Sequence, residues 1–213
     1  MMKIKIFATF SLIISEFFLF RAQKLNFKDP NFEKAVLENF DLNKNGSLEK
    51  LEADMITNLF LVQKGITSAD DMLLFSNAKM IVLDDNTIPN VSIMGLPQLE
   101  LFSCTGCKIS SFRAEGLKNL ASLYLDNNLL ESISLKETPR IDQLTLSLNQ
   151  LKAVDITPLK NLRKLNVEHN KIQKLDISKN PALQTLNIGG NPMKESDIKK
   201  GVKTDITIFG AEQ

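Results

Sequence analysis

Residues 41–52, DLNKNGSLEKLE, carry oxygen-bearing side chains at a spacing that suits a hard cation. Asp41, Asn43 and Asn45 stand at positions 1, 3 and 5 of a twelve-residue loop, and Gly46 stands at position 6, where a sharp turn is needed. Ser47 offers its carbonyl at position 7, Glu49 stands at position 9, and Glu52 takes the bidentate position 12. Calcium prefers such oxygen ligands, and a loop this weakly charged predicts an affinity of about 0.1–1 mM. The same residues also make a purely structural helix–turn–helix, with Asp41, Asn43 and Asn45 closing local turns. Both readings stand at this point. No cofactor is required by either.

Cys104 and Cys107 form a CxxC, the second reactive spacing. A closed zinc site needs four ligands, and no further cysteine exists. A thioredoxin-type centre needs an exposed thiolate at a helix start. Both cysteines fall instead at inward-pointing positions of a repeat, so the expectation is a pair of buried, unreactive thiols, with a local disulfide as the alternative. His169 is the only histidine and lies three repeats from the cysteines. At about 4.8 Å per strand that is roughly 14 Å, too far for a nucleophile–base pair. The expectation is that the protein is not an enzyme.

The elements that position these residues follow from a repeat. The frame LxxLxLxxNxL is filled by Leu120, Leu123, Leu125, Asn128 and Leu130. A constant step fills it again from Ile141, Leu162 and Leu183, and backwards from Leu99 and Ala78. Six units in register over residues 78–193 define a solenoid in which each coil touches only its neighbours. The fourth and sixth positions alternate as in a strand, and the Asn at position nine can satisfy backbone groups of adjacent coils. Apolar pairs in the second half of the unit, such as Val91/Ile93 and Leu175/Ile177, predict an extended or tightly turned outer side instead of a full helix. Residues 23–77 form the helical N-terminal cap, with apolar spacing at Phe32, Val36, Phe40 and at Leu51, Met55, Leu59. Residues 194–213 close the other end, with a helical turn within 194–200 and a last strand at 206–209.

The units LDISKNPALQTLNIGGNPM and LKAVDITPLKNLRKLNVEHNKI resemble the short repeats of secreted bacterial leucine-rich-repeat proteins. The segment before them is similar to the EF-hand-like helical caps of internalin-like proteins. The resemblance implies a right-handed leucine-rich-repeat solenoid, an α/β fold with a parallel β-sheet on the concave face and a helical N-terminal cap. It further implies a protein-binding scaffold. Strand positions three, five and seven share one direction. They place Tyr124, Asp126, Gln143, Lys164, Asn166 and Glu168 on the concave face, with Tyr124 its only aromatic residue over the repeats and Arg163 a weaker anchor nearby. Protein hot spots favour such aromatic and cationic anchors, so these residues are the candidate contacts for a protein partner. Six coils give about 24 Å of sheet, short enough that edge-to-edge homodimer formation is compatible with it.

The N-terminus reads as an address. Lys3 and Lys5 precede an apolar run from Ile6 to Phe20, too short to span a bilayer, which needs about 20 helical residues. Residues 1–22 read as a signal peptide cleaved after Ala22, which places the protein outside the cell, at its surface or in the periplasm. With 26 basic and 25 acidic residues in 213, the chain lacks the positive footprint of a nucleic-acid binder.

Overall fold

The computed structural model describes residues 23–202 and 205–211; residues 1–22, expected to be a signal peptide, lie outside them. The chain enters through a helical cap. Helix α1 (Pro30–Phe40) starts where Asp29 accepts hydrogen bonds from the Asn31 and Phe32 amides, with Pro30 in the first turn. It buries Phe32, Ala35 and Val36, and Phe32 stacks with Phe27 and Phe75 at ring distances of 6.1 and 6.0 Å. Asp29 also accepts from the Thr67 and Ser68 amides and the Thr67 hydroxyl, which ties the helix start to the first coil. Burial pushes the Asp29 carboxyl up, but the hydrogen bonds from Thr67, Phe32 and Ser68 outweigh it and hold the group below its ordinary value. Helix α2 (Lys50–Met55) begins where the Glu49 amide donates to Glu52 Oε2.

Beyond the cap, one parallel sheet runs the length of the solenoid. It takes one strand from each coil: β1 (Asn58–Phe60), β2 (Met80–Val82), β4 (Leu101–Ser103), β6 (Ser122–Tyr124), β8 (Gln143–Thr145), β9 (Lys164–Asn166), β11 (Thr185–Asn187) and β13 (Thr207–Phe209). Met80, Leu101, Ser122, Gln143, Lys164 and Thr185 pair in register, each one repeat after the last. The middle residue of each of these strands, from Ile81 to Leu186, is buried, so a slip by a single position would turn the core out to water. The opposite side is extended too: β3 (Asn90–Ile93), β5 (Ser111–Glu115) and β7 (Ile133–Lys136) form a second parallel sheet, and β10 (Leu175–Asp176) pairs with β12 (Ile198–Lys199). So short a repeat leaves no space for a helix there, and the apolar pairs supply the inner face. The architecture is a leucine-rich-repeat solenoid. A 3-10 turn at Glu195–Asp197 precedes β12.

Buried asparagines hold the coils together. Asn149 Oδ1 accepts from the Leu130 amide of the previous coil at 3.0 Å, and its Nδ2 donates to Leu125 and Leu146 carbonyls at 2.9 and 3.1 Å. Asn86, Asn128, Asn170 and Asn191 repeat the arrangement. Where the second unit has Cys107 in place of Asn, the Ile88 amide donates to the Cys107 backbone carbonyl at 2.8 Å.

The cysteines require a correction. They are buried as expected, yet they are joined in a disulfide and are not free thiols. The side chains at positions six and nine are both buried in the coil interior, and in the preceding unit Asn86 Nδ2 reaches back to the Leu83 main-chain carbonyl. At a Cα separation of 5.5 Å two cysteines there are within bridging range.

Candidate functional site

Strand alternation puts two columns of side chains on the open face of the long sheet. The first reads Asn58, Met80, Leu101, Ser122, Gln143, Lys164, Thr185, Thr207; the second reads Phe60, Val82, Ser103, Tyr124, Thr145, Asn166, Asn187, Phe209. The Tyr124 hydroxyl donates to Gln143 Oε1 at 2.7 Å, and Gln143 stands opposite Lys164 in register. Tyr124, Gln143 and Lys164 therefore form one oblique row across three coils. Lys164 is exposed and makes no ion pair among the described residues. Asn166 Oδ1 accepts from the Glu168 amide at 3.0 Å, and Asn166 Nδ2 donates to Glu168 Oε2 at 3.4 Å. Arg163 lies beside the face and donates to Gln184 Oε1 at 3.3 Å.

Asp126 is occupied differently. Its carboxylate accepts from the Ser147 amide at 2.7 Å and from the Ser147 and Thr145 hydroxyls. Asp84 does the same with the Ser103 hydroxyl and the Thr105 amide, at 2.6 and 2.8 Å. These carboxylates clasp successive coils on the open side, so their oxygens are largely spent on the scaffold.

The apolar end of the face is larger than the repeat frame implies. Met80, Val82 and Leu101 continue into Phe60 and Val62, which are 52% and 43% exposed. The run Asn58-Leu59-Phe60-Leu61-Val62 carries the strand alternation, but it stands one position further from the next strand than the repeat allows, and so falls outside the frame.

His169 sits in the turn after β9 at φ +51, the backbone conformation shared by Asp85, Asn127 and Leu148 at the same repeat position. A Cβ at Gly190 in the next coil would run into its Nδ1, so the ring covers that glycine. The geometry gives His169 a turn, not a nucleophile to activate.

Loop 41–52 closes on itself. Asp41 accepts from the Asn45 and Gly46 amides, and Asn45 Oδ1 accepts from the Ser47 amide and hydroxyl, both at 2.8 Å. Asn43 Oδ1 accepts from the Asn45 amide at 3.0 Å. The side-chain nitrogens of Asn45 and Asn43 then donate to Glu49 at 2.7 and 3.0 Å, and these bonds, Asn45's first, hold that carboxyl below its ordinary value. Glu52 accepts from the Leu42, Asn43 and Glu49 amides. Among the described residues no three His, Cys, Asp or Glu side chains come together as metal ligands. The Asn43 and Asn45 amide nitrogens bond to Glu49, so the loop is closed by its own side chains.

No family model matches the chain. No curated protein is significantly similar to it in sequence. Solved structures do match in fold. The functional domain of InlJ from Listeria monocytogenes, which includes a cysteine ladder, superposes with a TM-score of 0.62 at 21% identity over 81% of this chain. The match spans 44% of that protein's chain. Internalin C2 of the same species matches with a TM-score of 0.61 at 21% identity, over 90% of this chain and 97% of that one. A third internalin of that species, inlF, gives 0.50 at 18% identity, over 86% and 68%. The chain thus shares the leucine-rich-repeat fold of these Listeria proteins. No helix among the described residues is long and apolar enough to cross a membrane.

Proposed function

We propose that this chain is an exported scaffold that binds a protein partner through the open face of its long sheet. The row Tyr124–Gln143–Lys164 carries the reading: an aromatic ring fixed by a hydrogen bond to Gln143 stands two coils from an exposed lysine that has no ion pair among the described residues. The fixed ring loses little side-chain entropy on binding. Asn166 and Glu168 flank it, and Asp126 supports the strand ends beneath it. The partner captured from an envelope or culture fraction by the wild-type protein should be lost with Tyr124→Ala/Lys164→Ala at an unchanged thermal midpoint. Capture that survives the double substitution overturns the proposal.

Loop 41–52 is assigned a structural role within the cap. The observation behind this is the inward orientation of the Asn43 and Asn45 amide nitrogens towards Glu49. Melts in millimolar calcium and in chelator should coincide. Saturation at one hundred times Kd would instead raise stability by about 2.7 kcal/mol, and a shift of that size restores the calcium reading with Asp41, Asn43, Asn45, Ser47 and Glu52 as ligands.

A further inference from the structure

Among the chain's asparagines only Asn45 is followed by glycine. A glycine carries no Cβ, so its own backbone nitrogen is open to close approach. The pair lies on the exposed side of loop 41–52, with Gly46 at φ +78. Along the chain, the side-chain amide carbon of Asn45 is within ring-closing reach of the Gly46 nitrogen. The column asparagines 86, 128, 149 and 170 differ on both counts: they are buried, and each is followed by a residue with a side chain.

The contacts around the pair favour that closure. Asn45 Oδ1 accepts from the Ser47 amide at 2.8 Å, which turns the side-chain carbonyl over the Asn45–Gly46 peptide and polarises its carbon. The Ser47 hydroxyl stands 2.8 Å from the same oxygen and shares its proton with Glu49 Oε1 at 3.1 Å. The Gly46 amide donates to Asp41 Oδ2 at 2.9 Å, so a carboxylate sits on the proton that an attacking nitrogen must shed. Asp41 Oδ1 accepts from the Asn45 amide at 3.2 Å, which keeps that carboxylate in place. Asn45 Nδ2 donates to Glu49 Oε1 at 2.7 Å, and this bond fixes the plane of the amide. Nucleophile, electrophile and base are thus held together by the fold, where a flexible chain would have to find the same arrangement by chance.

We infer that Asn45–Gly46 is a self-modification site, at which the Gly46 nitrogen attacks Asn45 Cγ and expels ammonia. The proton of the Gly46 amide passes by way of Asp41 to the departing nitrogen as the Cγ–Nδ2 bond breaks. Water then opens the cyclic imide at either of its carbonyls: its hydroxyl joins that carbon, its proton joins the ring nitrogen, and the bond between the two breaks. Aspartate forms by one route and isoaspartate by the other, and water is the only reagent consumed. The product exchanges an NH2 that donated to Glu49 for a carboxylate beside it. Attraction at the 2.7 Å contact becomes repulsion between like charges, and the loop opens there. The cap therefore changes charge and closure with age while the repeats stay as they are.

The test incubates the purified whole protein at mildly alkaline pH and follows the tryptic peptide Asn45–Lys50 by mass spectrometry, with isoaspartate read from its fragments. A free peptide of residues 41–52 under the same conditions is the reference. Asn45 should be modified roughly tenfold faster, or more, in the folded protein than in the free peptide, with both aspartate and isoaspartate formed. Asp41→Asn should slow the reaction in the protein by roughly tenfold or more. Asn45→Asp, which reproduces one product, should lower the thermal midpoint by roughly 2–4 °C, as the loss of one net hydrogen bond does in a chain of this size. Equal or slower modification in the folded protein overturns the inference whether or not the variants fold. Aspartate without isoaspartate overturns the imide route, an unchanged rate in Asp41→Asn overturns the role of that carboxylate, and a wild-type midpoint in Asn45→Asp overturns the opening of the loop.

Discussion

Asn149→Ala tests the physical basis of the solenoid. The side chain is buried and makes four hydrogen bonds: one accepted from the Leu130 amide at 3.0 Å, and three donated to Leu125, Leu146 and Ser147 carbonyls at 2.9, 3.1 and 3.2 Å. Truncation strands the Leu130 N–H away from water, at a cost of about 1–3 kcal/mol. The carbonyls each keep a second lone pair and suffer less. Adding their weakened bonding and the small void, the loss comes to about 3 kcal/mol, a large part of a total stability of about 5–15 kcal/mol. Asn127, one coil earlier, is the control. It is exposed at φ +54, while Asn128 beside it holds the coil contact, so Asn127→Ala should cost only the left-handed penalty of about 1 kcal/mol. Urea unfolding with an unchanged m-value measures both. A loss below about 1 kcal/mol for Asn149→Ala, or equal losses for the two, would refute the idea that the asparagine column carries the contacts between coils.

Two further outcomes follow from the interior. The Cys104–Cys107 bridge lies in the core, so thiol reagents should find no reactive sulfur in the folded protein, and Cys104→Ala/Cys107→Ala should lower stability by about 2 kcal/mol, as expected for a very short closed loop; two titratable thiols without reductant would contradict the bridge. Asp29 has a folded pKa below its ordinary 3.8, so its contribution is complete above that value and is lost as pH falls through the lowered one. Stability should therefore decline on acidification below about pH 4, and Asp29→Asn should flatten that decline; an acid limb identical in wild type and variant would count against the helix-start role of Asp29.

The repeat is legible in the sequence because each coil repeats one packing problem. A strand needs apolar residues two apart, the turn needs an amide that both donates and accepts, and one full period returns the chain to the same place. Register and the columns of the open face follow from that period alone, which is how Tyr124, Gln143 and Lys164 come to be neighbours on paper as they are in space. What escapes is whatever breaks the period or depends on distance within one coil. The step from Asn58 to Met80 is one position longer than the period, so β1, with exposed Phe60, lies out of frame; β13 is displaced by the same amount, but its apolar alternation at 206–209 marks it as a strand without the frame. CxxC spacing is compatible with two thiols or with a bridge, and only the facing of positions six and nine selects the bridge. Asp126 sits in the right column for a partner contact, yet hydroxyls at Thr145 and Ser147 claim it, because a carboxylate between two strand ends is first a solution to unpaired donors nearby.

That distinction bears on where binding energy can come from. A solenoid face of small polar residues already bonded to one another offers a partner few groups that gain by leaving water, since each existing hydrogen bond must be matched or kept. The open face between Ser103 and Asn187 is largely of this kind, with Asp84, Asp126, Asn166 and Glu168 engaged within the scaffold. Among the described residues, the groups of this face that are not so engaged include Lys164, the edge of the Tyr124 ring, the exposed Phe60 and Val62 at one end and the exposed Phe209 at the other. A protein partner that gains from this face must reach from the Tyr124–Lys164 row to an apolar end, covering the polar middle of the sheet without relying on it. Binding should then be divisible: substitutions at Phe60 and at Tyr124 should add in free energy, because the two side chains stand three coils apart.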